Sequence, residues 1–191
     1  MPSELTEPND ATLDLKVPLS ADDHLQGSED AGVTLLEYGD YECPHCAAAA
    51  PIVKELQRRF GAELRYAWRH FPLPMHEMAE PAAEAAEWAG ANGHFWEMHD
   101  QLLAHQEELS GGLLATLADE VGLDDHDLAE ALRQHAFEES VAFDIESGEQ
   151  SGVHGTPTFF INGARYEGAW EYAELSTAIE QELRRGGRRA A

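Results

Sequence analysis

The sequence predicts an α/β fold in which one small sheet is written in two separated halves. Three observations predict it. Residues 33–69 read strand, helix, strand; residues 75–148 show helical periodicity and no strand pattern; residues 158–183 return to two short strands and a helix. On this reading residues 31–72 and 151–187 build the sheet domain, residues 73–150 are an all-helical insertion, and residues 1–30 precede both.

Residues 1–30 are polar and acidic with scattered Pro and Gly, and are expected to form a mobile, partly disordered extension in which residues 13–19 offer one edge strand. Val33-Thr34-Leu35-Leu36-Glu37-Tyr38 is apolar and partly β-branched, a strand that Gly39-Asp40 breaks. The Ala-rich residues 47–60 carry Ile52, Val53, Leu56 and Phe60 at roughly helical spacing, so a helix should run from Cys43 to near Gly61. Leu64-Arg65-Tyr66-Ala67-Trp68-Arg69 alternates as a second strand, and the short crossover makes the two strands parallel. Phe71-Pro72-Leu73-Pro74 stops it.

The following block should hold three or four helices, drawn from the stretches 79–91, 95–106, 113–121, 127–135 and 137–145. Gly90, Gly93, Gly122 and Asp124/Asp125 supply ends and caps. Trp88, Phe95, Trp96 and Phe71 are expected to join this block to the sheet, and His70, His76, His94 and His99 to be surface or helix-end residues. Thr158-Phe159-Phe160-Ile161, Asn162-Gly163 and Ala164-Arg165-Tyr166-Glu167 read as a hairpin. An amphipathic helix over 172–183 closes the chain, with a basic frayed tail from Gly186.

Composition narrows the function. The formal charge of −25, with Lys16 and Lys54 the only lysines, argues against a nucleic-acid-binding face and fits a surface adapted to high salt. No apolar run reaches the 18 or so residues of a membrane span. Met1-Pro2-Ser3-Glu4 has neither a basic nor an apolar leader region, so a cytoplasmic location is the expectation.

The two cysteines, Cys43 and Cys46, stand three apart at the strand–helix junction in Cys43-Pro44-His45-Cys46. Residues so spaced in a first helical turn lie close enough for a disulfide. Pro44 suits the first helical position, and Cys43 would then occupy the N-cap, where free N–H groups and the helix dipole favour its thiolate. Cys46, one turn further in, is placed to attack a mixed disulfide on Cys43. A half zinc site and a pair of inert buried thiols are the alternatives; zinc needs about four ligands, and no second Cys-x-x-Cys exists.

With the later Gly155-Thr156-Pro157-Thr158 and the helical block between, Cys43-Pro44-His45-Cys46 resembles the thioredoxin superfamily, DsbA-like branch, over about residues 31–185. The resemblance implies a thioredoxin-like fold with an inserted all-helical subdomain. It implies dithiol–disulfide exchange with protein or peptide substrates, no organic cofactor and no metal, and a redox partner that recycles the pair. It implies that Pro157 is a cis-proline beside the cysteines, with the backbone of Thr156 free to pair with substrate. His45 would tune the Cys43 thiolate, and Glu37 would be a buried carboxyl that takes the proton of Cys46. The chain departs from the pattern at Asp40 and Glu42, whose carboxylates are expected to disfavour the thiolate and so to favour the reducing direction. A peptide-binding or chaperone-like module, in which the cysteines matter little, stays open beside the enzyme.

Overall fold

The computed structural model describes residues 14–189. Five strands form one sheet in the order β1-β3-β2-β4-β5, comprising β1 (His24–Gln26), β2 (Val33–Gly39), β3 (Leu64–His70), β4 (Thr158–Ile161) and β5 (Ala164–Arg165). Only β2 and β3 run parallel, joined by the crossover helix α1 (Pro44–Phe60); every other pairing is antiparallel. This is the α/β fold that the order of elements predicts, with the thioredoxin-like arrangement that the resemblance implies.

Strand alternation sends side chains to two cores. Leu35, Leu64, Tyr66, Trp68, Phe159 and Ile161 face a large core shared with α1 and the C-terminal helix α7 (Tyr172–Arg189). Leu36, Tyr38, Ala67 and Phe160 face a smaller core on the other side. β2 is central and covered on both faces, which is why its sequence is nearly all apolar. Asn162 and Gly163 both take positive φ in the β4–β5 turn, the conformation that makes Asn-Gly a hairpin signal.

Between β3 and β4 the chain forms five helices: α2 (Ala79–Ala91), α3 (Phe95–Ala104), α4 (Gly111–Glu120), α5 (Asp125–Arg133) and α6 (Glu138–Gln150). Asp124 caps α5 through the His126 and Asp127 N–H groups, as its place in the sequence suggests. Three or four helices were expected; the short α4 and α5 are separate because Gly122 turns the chain at positive φ between them.

Several expectations differ from the structure. No strand forms over residues 14–19, and residue 13 lies outside the described residues; the edge strand is β1, whose three residues are too few to show a pattern. Residues 14–30 are not a free extension. Leu15 is buried in the smaller core, and the buried Arg69 guanidinium donates to Asp23 and to the Val17 and Pro18 carbonyls. Phe71 joins that smaller core rather than Trp88 and Phe95 in the larger one. His70 and His99 are buried, not superficial. The last helix continues through Gly186 and Gly187 to Arg189 instead of fraying at Gly186.

Candidate active site

The cysteine pair follows the C-terminal end of the central strand. Cys43 is the N-cap of α1 with extended φ/ψ, and Pro44 occupies the first turn. The Cys43 N–H donates to the Asp40 carbonyl at 3.1 Å, tying the cap to the end of β2. Cys43 is nearly buried and Cys46 wholly so. The Thr156–Pro157 bond is cis, and the Thr156 carbonyl accepts from Cys43 Sγ at 3.4 Å. Residues more than a hundred positions apart are thus joined at one sulfur.

The two thiols are electrostatically unlike. Cys43 is lowered to about 5, first by a hydrogen bond from the Cys46 thiol and against the cost of burial. The backbone N–H groups of Cys46 and His45 add to the lowering. Cys46 is pushed far up, chiefly by burial, then by its bond to Cys43 and the nearby Glu37 charge. One sulfur is therefore an anion at neutral pH and the other holds its proton, the asymmetry an exchange centre needs.

Glu37, on β2 between Trp68 and Phe159, is buried, and burial raises it to about 8 despite the Tyr66 hydroxyl donating to Oε2 at 2.7 Å. Its Oε1 has no hydrogen-bond partner. A carboxyl near 8 whose charge is felt at Cys46 can hold or release a proton there. The His45 side chain is exposed, with its ring 6.3 Å from that of Trp170; its link to the thiolate is the backbone N–H.

Asp40 and Glu42 do not act as expected. The buried Asp40 carboxylate accepts from the Glu42 N–H, the Leu73 N–H and His76 Nδ1 at 2.7, 2.8 and 2.6 Å. Glu42 accepts from the Met78 N–H at the start of α2. Burial works against it, yet the bond and charge of Asp40, then Glu42 and Cys43, hold His76 above the ordinary imidazole range. Each carboxylate is thus engaged by donors, and Cys43 is lowered, not raised. Asp40 three residues before Cys43 carries a local turn signal through its bond to Glu42 N–H. His76 carries none, because only the fold brings residue 76 to residue 40.

Among the described residues one His/Glu group brings metal-type ligand atoms together, away from the cysteines: His24, His70 and Glu87. Its hydrogen bonds fix another use. Trp68 Nε1–H donates to His70 Nδ1, so His70 carries its own proton on Nε2 and gives it to Glu87 at 2.9 Å. A metal-bound histidine instead needs its second nitrogen to be a donor. Burial opposes it, but bonds from His24 and His70 hold Glu87 below the usual carboxylate range. The group pins β1 and β3 to α2. His99 Nδ1 pairs with the Tyr41 hydroxyl at 3.0 Å in the same layer of rings.

Fold and cysteine geometry together define the class, that of thioredoxin-like chains with a cysteine pair at the start of the crossover helix. The family model described as Thioredoxin matches residues 19–181, and the chain belongs to that family. BdbD from Bacillus subtilis in its oxidised form is similar at 27% identity and TM-score 0.77, covering 84% of this chain and 92% of that one. Wolbachia pipientis alpha-DsbA1 shares the fold at TM-score 0.81 and 18% identity, covering 94% of this chain and all of that one. A curated relative, Na(+)/H(+) antiporter NhaA 1 of Salinispora arenicola, is 46% identical over 173 residues, which is 90% of this chain and 26% of the relative. The chain thus spans about a quarter of the length of the curated relatives it matches. No helix among the described residues is long and apolar enough to cross a membrane.

Proposed function

We propose that this chain exchanges disulfides with protein or peptide substrates through Cys43 and Cys46, with Cys43 the attacking sulfur. The observation that carries the reading is the unlike pair: a thiol of lowered pKa at the α1 N-terminus beside a buried thiol of raised pKa, with the cis Thr156–Pro157 segment against the first sulfur. In the reducing direction the Cys43 thiolate attacks a substrate disulfide, forming a mixed disulfide and expelling one substrate thiolate. Cys46 then gives its proton to the Glu37 carboxylate and attacks Cys43 Sγ. The second substrate thiolate leaves, and the pair is left oxidised. In the oxidising direction a substrate thiolate attacks Cys43 Sγ, and Cys46 departs, taking a proton from Glu37. A second substrate thiolate then displaces Cys43. The Thr156 N–H, which makes no backbone bond among the described residues, is free to pair with an extended substrate. His45 tunes the thiolate through its N–H, and a separate redox partner restores the pair.

A lowered Cys43 thiol stabilises the reduced form and so supports the oxidising direction, against the expectation drawn from Asp40 and Glu42. The antiporter name describes proteins about four times as long, so ion transport is not assigned to these residues.

A Cys46→Ser variant incubated with a peptide disulfide should accumulate a mixed disulfide on Cys43, read by mass spectrometry. No adduct would sink exchange and favour a peptide-binding module. Equilibration of the native pair with glutathione buffers fixes the direction. A potential near about −120 mV marks a disulfide donor, and one near about −270 mV marks a reductase suited to a reducing cytoplasm.

A further inference from the structure

A cavity of about 590 Å³ opens on the α2–α6 side of the molecule. It begins one side chain from the cysteines: Leu73 and His76 line it, both are bonded to Asp40, and the Asp40 N–H donates to Cys46 Sγ at 3.5 Å. Four carboxylates, Glu77, Glu80, Glu84 and Glu138, line the cavity, and no Lys or Arg does. Glu80 and Glu138 lie in the first turns of α2 and α6, where a negative charge suits the helix dipole.

Glu84 has no such reason to be there. It is four residues beyond Glu80, on the same helix face, a like-charge spacing that weakens a helix. It is only 3% exposed, and its Oε2 is buried with no hydrogen-bond partner. Oε1 meets only His135 Nδ1, at 3.2 Å. A buried carboxylate oxygen without a donor is costly, and a site that supplies the donor on binding recovers that cost.

The rest of the lining says what kind of donor fits. Pro72, Pro81 and Ile145 supply apolar wall for an aliphatic stem, and Met75 stands exposed beside His76. The carboxylates do not converge as a metal ion requires, since the one group of ligand atoms that close together among the described residues is His24, His70 and Glu87. A broad, flat cation with several N–H groups on an apolar stem matches better.

We propose that this cavity takes the arginine or lysine side chain of a polypeptide substrate whose cysteine is engaged at Cys43, making it a specificity subsite for basic segments. The proposal rests on the exchange reading above. Its test uses cysteine peptides carrying one arginine at successive distances on either side of the cysteine, against the same peptides with neutral citrulline. At the best placement the arginine peptide should react about tenfold faster in kcat/KM, the worth of one charge-assisted contact. The preference should fall to near unity in Glu80→Gln/Glu138→Gln and in Glu84→Gln. It should persist in Asp119→Asn/Glu120→Gln, which removes the same charge from the exposed end of α4 and so controls for attraction to an acidic protein. Because Glu84 is buried and its variant can fail to fold, the exposed pair stands as an independent variant.

Equal reaction of arginine and citrulline peptides at every placement overturns the subsite, as does a preference that survives both sets of cavity variants. Displacement of the arginine peptide by stoichiometric calcium also overturns it, in favour of a metal. If no peptide exchanges at all, the exchange reading fails. The subsite is then read separately, by anisotropy of serine-for-cysteine peptides on Cys43→Ser/Cys46→Ser protein. There, tighter binding of arginine than citrulline upholds it and equal binding overturns it.

Discussion

At the scale of single residues the site is governed by burial acting on charge. Glu37 shows it most plainly. Burial raises its carboxyl from 4.5 to about 8, so between those values the folded chain holds a proton that the unfolded chain has released. Stability from this group is therefore present in full below pH 4.5 and is lost as the pH rises through about 8. Glu37→Gln should flatten that fall, raising stability at pH 8 relative to pH 5 by on the order of 2–4 kcal/mol in urea unfolding. The same variant should lengthen the life of the Cys43 mixed disulfide about 10²-fold, because Cys46 loses its proton acceptor. A variant more stable yet no slower in resolution would leave Glu37 a structural residue only. Both cysteines were legible from their own spacing, whereas Glu37 and Pro157 were residues to watch only through the resemblance to a known family. The sign of the field at Cys43 was not. Asp40 reads from sequence as a charge facing the thiolate, whereas in the fold it is an acceptor occupied by Leu73 and His76, residues over thirty positions away.

At the scale of elements, the hydrophobic period located the helical stretches and four of the five strands, because long stretches bury one face consistently, though it undercounted the five helices between β3 and β4. β1 escaped, since three residues pairing with β3 are a strand only by virtue of the partner. The glycines show how closely the elements approach. Gly148 lies inside α6, where alanine ordinarily strengthens a helix by about 1 kcal/mol. Here a Cβ would stand 2.8 Å from Phe71 Cδ2 and 3.1 Å from Tyr38 Cδ1, on the side where α6 meets the sheet. Gly148→Ala should therefore destabilise by about 1–3 kcal/mol, lowering Tm by several degrees in calorimetry. A stabilised variant would mean that α6 is free to shift away from Phe71.

For the whole molecule the governing quantity is the charge of −25. At 0.15 M salt charges interact over about 8 Å, and at 1 M over about 3 Å, so self-repulsion of an acidic surface is relieved as salt rises. Raising sodium chloride from 0.05 to 2 M should lift Tm by roughly 5 °C or more, the equivalent of about 2 kcal/mol for a domain of this size. A flat or falling Tm would count against salt adaptation as the reason for the acidity. Buried ion pairs such as Arg69–Asp23 are screened far less, so they should hold residues 14–30 to the sheet at either salt.

By itself the sequence determined the α/β class, the two-part sheet around a helical block, and the close-spaced cysteine pair at the strand–helix junction. Each of these is a local pattern of spacing or period, and such patterns survive in one dimension. Only the tertiary structure decided which carboxylates are paired, which histidines are buried, and that Glu84, with one buried oxygen unpartnered, lines a cavity one side chain from the cysteines. Those outcomes depend on what the chain brings near from far along its length, and the field at a sulfur or a carboxylate is set by distance in space.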